Sequence, residues 1–173
     1  MCNSRLHVSS PTCYLWLHIE EEAEMSTTDY RIEREIVIDA PVEVVWRAIT
    51  EPDQISQWFA DKVELEIEPG AHGYMGFGDQ GGPVVVEVVD QPTRFSFRWN
   101  HPAEEEPAAG NSLLVEFTLA GVGEQTRLRV VESGLDLLAW STADKQQYAG
   151  EHDEGWGDFL ERLARLLAAS AKG

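Results

Sequence analysis

Trp156-Gly157-Asp158-Phe159-Leu160-Glu161-Arg162-Leu163-Ala164-Arg165-Leu166-Leu167 is the stretch that decides the fold. Its apolar residues Trp156, Phe159, Leu160, Leu163, Leu166 and Leu167 fall at i, i+3, i+4, i+7, i+10 and i+11, which lines them along one side of an α-helix. Asp158, Glu161, Arg162 and Arg165 take the other side. A helix with one apolar stripe has to lay that stripe against another apolar face. The sequence sets the start of this helix between about Ala143 and Glu151, and Gly150 and Gly155 weaken its first turns relative to alanine.

The face it needs is written upstream. Over residues 30–38, Ile32, Ile36 and Ile38 alternate with Arg31, Glu33 and Glu35, the pattern of a half-buried strand. Asp39-Ala40-Pro41 then ends the strand and opens a helix, with Asp39 as its cap and Pro41 in its first turn. Val42, Val45, Trp46 and Ile49 recur at helical spacing, and a second short helix after Glu51-Pro52-Asp53 puts Ile55, Trp58 and Phe59 on one side. Six runs of period two follow: Val63 to Ile67, Tyr74 to Phe77, Val84 to Val89, Phe95 to Trp99, Val115 to Leu119, and Thr126 to Ser133. Pro69-Gly70, residues 78–83, Gln91-Pro92 and residues 121–123 read as turns, and the Glu-, Pro- and Ala-rich stretch 100–111 as a solvated loop. Strands at this spacing predict an antiparallel meander. The predicted fold is α+β: a curved antiparallel sheet of about seven strands around a long C-terminal helix, with two short helices after the first strand. Such a sheet leaves a cleft wherever the helix does not fill its hollow, and the short helices close one end.

The chain has 173 residues, enough for about one domain. With 31 acidic and 13 basic residues its formal charge is −18, which argues against sequence-independent nucleic-acid binding and against docking on anionic lipid. No apolar run approaches the roughly 18 residues that a membrane helix needs. Cys2 and Cys13 are the only cysteines, so a disulfide framework is excluded and a cytoplasmic setting fits. Residues 1–24, with the short apolar run Cys13 to Leu17 and four glutamates, read as a disordered or spurious extension rather than a secretory signal, because no small-x-small cleavage site follows. Residues 25–173 read as a single domain, and the acidity belongs to it, since only four of the acids and one of the bases precede it.

Ile38-Asp39-Ala40-Pro41-Val42-Glu43-Val44-Val45-Trp46, then Ala48-Ile49-Thr50-Glu51-Pro52 and Gln57-Trp58-Phe59, resemble the opening of the SRPBCC (START-like, helix-grip) superfamily. More narrowly they resemble the branch named after the C-terminal domain of the activator of the Hsp90 ATPase. Glu132-Ser133-Gly134-Leu135 and Gly155-Trp156 before the Leu-rich helix are similar to its closing pattern. The resemblance covers about residues 30–169 and implies a helix-grip domain. In the wider superfamily it implies binding of lipids, sterols, polyketides or plant hormones, and in some members cyclase or aromatic hydroxylase activity. The Cys-x-His pairs of the hydroxylase branch do not occur here.

Among the motifs, Gly76-Phe77-Gly78-Asp79-Gln80-Gly81 fits the G-x-G-x-x-G string of dinucleotide sites, but that mechanism needs a helix N-terminus next. Val84-Val85-Val86 reads as a strand instead, so the string is predicted to be a hairpin turn. His72, His101 and His152 lack the spacing of metal ligands, Glu104-Glu105-Glu106 reads as a solvated loop, and no metal or cofactor is expected. No catalytic nucleophile is flagged by a recognisable elbow. By alternation Arg34 shares the face of Ile32 and Ile36, and Glu132 that of Leu128 and Val130. Charges on a covered face need partners, and since the resemblance makes the first and last strands neighbours, these two are candidates to pair with each other. Arg34, Glu132, His101 and His152 are therefore the candidate polar anchors of the cleft. Trp46, Trp58, Phe59, Phe77, Trp99, Phe117, Trp156, Phe159 and Leu160 are its candidate lining, or else plain core.

The function expected from these residues is binding of a small apolar or amphipathic molecule between sheet and helix, without catalysis. The alternatives are a cyclase- or dehydratase-type enzyme using the same cleft, in which a Glu or His moves a proton, and a chaperone-like or homodimeric interaction module with a closed core and an exposed apolar patch.

Overall fold

The computed structural model describes residues 30–99 and 105–171. The extension 1–24 and the candidate anchor His101 lie outside the described residues. Seven strands form one antiparallel sheet: β1 (Ile32–Ile38), β2 (Lys62–Glu64), β3 (His72–Phe77), β4 (Gln80–Asp90), β5 (Arg94–Trp99), β6 (Leu113–Val122) and β7 (Gln125–Ser133). Their order is β1-β7-β6-β5-β4-β3-β2, a meander from β2 to β7 with β1 added beside the last strand. Helices α1 (Val42–Thr50) and α2 (Pro52–Ile55) fill the connection from β1 to β2. The long helix α3 (Thr142–Ser170) follows a short 3-10 turn at Leu135–Leu137. The predicted α+β architecture is the observed one.

The periodicities explain which face is dry. Phe95, Phe97, Phe117, Val115, Leu128 and Val130 point to one side of the sheet and are almost fully buried. Against them lie Val45, Trp46 and Ile49 of α1, Ile55 of α2, and Trp58 and Phe59 just beyond it. Trp156, Leu160, Leu163 and Leu167 of α3 complete the core. Each such side chain contributes roughly 1.5–3 kcal/mol by leaving water, so the apolar stripe alone anchors the helix. Two polar ties fix the short helices: Trp58 Nε1 donates to the Ala48 carbonyl at 2.9 Å, and Thr126 Oγ1 to the Ala40 carbonyl at 2.7 Å.

Several local expectations are corrected. The cap of α1 falls on Pro41 with no side-chain bond, which is two residues too late for Asp39 to serve. The run Val63 to Ile67 is a strand only as far as Glu64; beyond the Glu64–Tyr74 pair the chain turns along β4, where Gly70 N donates to Val86 O and Val86 N to Ala71 O. The expected turn 78–83 shrinks to Gly78-Asp79, because pairing runs to Phe77 opposite Gln80. Gly78 takes φ +63, as a two-residue hairpin turn requires. Gly81 lies under Tyr74, where a Cβ would come within 2.3 Å of the phenol oxygen. The glycine string is thus a hairpin joining two strands, as expected. Helix α3 starts at Thr142, at the early end of the expected window, with Ser141 Oγ accepting from Asp144 N as its cap.

Candidate functional site

A single carboxylate organises the space between sheet and α3. Glu132 lies on β7, on the covered face, and is 1 % exposed. A buried carboxylate costs several kcal/mol unless its oxygens are bonded. Here four donors converge on it. Trp99 Nε1 of β5 and the Tyr148 hydroxyl donate to Oε1 at 3.0 and 2.9 Å. Trp156 Nε1 and His152 Nδ1 meet Oε2 at 2.8 and 3.0 Å. Three of the four come from α3 at i, i+4 and i+8, which is one helix face. With two acceptor oxygens and four donors, the cluster leaves no polar side-chain atom unsatisfied among the described buried residues.

His152 sets Nδ1 against Oε2, and Nε2 lies on the far edge of the ring; in the tautomer that donates from Nδ1, Nε2 is left as an acceptor. The imidazole stacks on Tyr148 with centroids 3.6 Å apart and meets Trp99 edge-on at 5.9 Å. Burial, and then the neighbouring Glu132 carboxylate, push the Tyr148 phenol far above its ordinary range.

Beside this cluster opens a cleft of about 450 Å³, walled by Phe59, Trp99, Trp156 and Phe159, with Gln80, Tyr148, Glu151, His152 and Gly155 completing it. A smaller space of about 160 Å³ adjoins it through the same Gln80, Trp99, His152 and Phe159 and adds Phe77. The aromatic wall is closely interlocked: Phe59 stacks on Trp156 at 5.0 Å and meets Phe159 edge-on at 4.9 Å. Gly155 faces open space, for a Cβ there would meet nothing nearer than a Phe159 ring carbon at 4.0 Å.

Of the expected lining, Phe59, Phe77, Trp99, Trp156 and Phe159 border these spaces. Trp46, Trp58, Phe117 and Leu160 border neither and are buried core. Of the expected anchors, Glu132 and His152 come together. Arg34 does not pair with Glu132: its Cα partner on β7 is Val130, and its guanidinium meets Asp153 of α3, with Nε donating at 2.8 Å. That pair sits on the opposite flank of the helix and is about 40 % exposed, so water already solvates it. Sequence reasoning missed Tyr148, Gln80 and Glu151. The spacing Tyr148, His152, Trp156 was available, but the undetermined helix start hid it. Among the described residues no group of side chains is arranged to hold a metal ion, and no helix is long and apolar enough to cross a membrane.

Residues 39–168 match the family model described as activator of Hsp90 ATPase homolog 1-like protein. Among solved structures, DynU16 of the dynemicin biosynthetic locus is 29 % identical with a TM-score of 0.66; the match covers 82 % of this chain and 48 % of that one, so the chain spans about half the length of DynU16. Protein MLL2253 of Mesorhizobium loti is 27 % identical with a TM-score of 0.67, covering 80 % of this chain and 97 % of its own. The Aha1 dimer of Colwellia psychrerythraea, 22 % identical with a TM-score of 0.63 over 78 % of this chain and 92 % of its own, shares the fold. No curated protein matches the chain.

Proposed function

The chain belongs to the activator of Hsp90 ATPase homolog 1-like family of the SRPBCC (helix-grip) superfamily, and from that premise and the cleft we propose that it is a binding domain for a small apolar or amphipathic molecule held between the sheet and α3. The cleft carries this reading. Its volume of about 450 Å³ falls within the range of about 300–1,000 Å³ usual for small-molecule sites. Its walls are aromatic, so affinity rests on apolar area withdrawn from water, at roughly 25 cal/mol per Å². His152 and Glu151 of α3 and Gln80 of β4 put polar groups on its lining, and these orient whatever enters. The likeness to DynU16, a protein from a biosynthetic locus, fits a domain that handles small organic molecules. The interaction-module alternative has less support: the large apolar side chains exposed among the described residues are Val37, Val122 and Leu137, on three different elements.

N-phenyl-1-naphthylamine, a neutral apolar fluorophore, tests the reading. Its emission is expected to rise on binding while fluorescence from Trp99 and Trp156 is quenched. Gly155→Leu, which fills the cleft from the helix side, is expected to abolish both signals. A wild-type protein that leaves the dye dark and its own fluorescence unchanged would remove the proposal.

A further inference from the structure

We propose that Glu132 and His152 form a general-base dyad, and that the cleft takes a neutral aromatic molecule with a carbon–hydrogen bond acidified by an adjacent carbonyl. The proposal rests on the binding reading above and names its ligand class. Glu132 holds His152 by Nδ1 at 3.0 Å, and Tyr148 and Trp99 fix the ring plane. Nε2 is turned away from the buried carboxylate, on the ring edge opposite to it. It has no partner among the described residues, although His152 borders both the larger and the smaller cleft space. A base oriented by a second group beside a substrate-sized space is the arrangement that proton abstraction needs. Gln80 borders the same two spaces, and its side-chain amide has no partner among the described residues. It supplies an N–H for a carbonyl oxygen on which charge develops.

The step is balanced without a co-reactant. The α-carbon loses its proton to His152 Nε2, the C–H electron pair becomes the C=C bond, and the carbonyl π pair moves onto the oxygen, which takes the Gln80 hydrogen bond. Glu132 stabilises the resulting imidazolium through Nδ1. The imidazolium then returns the proton to carbon or to oxygen, giving exchange or enolisation. His152 is the catalytic residue and Glu132 the positioning residue.

2-Tetralone is the probe: a flat aromatic ketone whose C1 protons exchange with solvent. Exchange is followed by NMR in deuterated buffer, and binding by tryptophan quenching. Wild-type protein is expected to speed exchange over buffer, and His152→Ala to lose roughly a hundredfold of that gain. Free imidazole is expected to restore part of it beyond what imidazole does alone. Glu132→Gln is expected to lower kcat with KM unchanged; should it fail to fold, His152→Ala and its rescue still decide. Quenching without exchange above buffer overturns the dyad and leaves the binding reading intact. Exchange that survives in His152→Ala overturns it too. Absence of both quenching and exchange overturns the dyad and the binding reading together.

Discussion

Glu132 of β7 receives its shortest hydrogen bond, 2.8 Å, from Nε1 of Trp156 on α3, so the helix is tied to the sheet by a polar contact at the centre of an aromatic wall. Both residues are nearly fully buried. The aliphatic stripe below Trp156 supplies most of the adhesion, but a smooth stripe of leucines tolerates several settings. The indole–carboxylate bond admits one.

Removing the carboxylate therefore costs more than one contact. Glu132→Ala leaves four donors facing a void, two of them indoles and one a half-buried phenol. The expected loss is roughly 3–5 kcal/mol in equilibrium urea unfolding, the scale for breaking a buried charged network. A loss under about 1 kcal/mol would show that the cluster carries little.

Tyr148 gives the protein an alkaline limit. Its phenol is raised in the folded state by burial and by Glu132, while the unfolded phenol ionises near 10.0. Because the folded value is the higher one, the contribution is fully present below pH 10 and is lost as pH climbs beyond it. The slope from this residue is at most about 1.4 kcal/mol per pH unit. Unfolding midpoints measured from pH 8 to 11 are expected to fall above pH 10 in the wild type and to fall less steeply in Tyr148→Phe.

Gly155 separates binding from stability. It sits inside α3 with open space beside it. Gly155→Ala is expected to raise stability by about 0.5–1 kcal/mol, since glycine is the poorer helix former. Gly155→Leu keeps that gain while it obstructs the cleft, so thermal melting and dye binding should move in opposite directions.

Arg34→Ala is expected to change unfolding free energy by less than about 1 kcal/mol and to do so only at low salt. Its partner Asp153 is as exposed as Arg34 itself, and such pairs are largely screened.

How much of this was written in the residues follows from periodicity. The strand alternation around Phe95, Phe97 and Trp99 and the stripe from Trp156 to Leu167 named the sheet face and the helix that covers it. The same alternation put Glu132 on the covered face. It could not supply its partners, which come from β5 and three turns of α3, because contacts across layers leave no mark in spacing. Arg34 is a neighbour by strand order, but its side chain goes over the edge of the helix to Asp153. Nor could spacing divide wall from core. Trp58 and Trp99 look alike in the chain. One is sealed by α1, its Nε1 donating to Ala48, and the other fronts the open space. The turn at Gly78 was overestimated because Gly81 and Gly82 carry no side chain to betray their place in β4.

Helix α3 has 29 residues, yet all four of its fully buried side chains lie from Trp156 onward. The half before it, from Thr142 to Gly155, is held by the Ser141 cap, the Arg34–Asp153 pair and the bonds of Tyr148 and His152 to Glu132. The rod is thus riveted at one end and latched at the other. Lifting the latched half frees little apolar surface and costs less than global unfolding, so this part of the rod is expected to open before the rest. Amide protons of residues 146–153 should accordingly exchange with solvent sooner than those of 160–167.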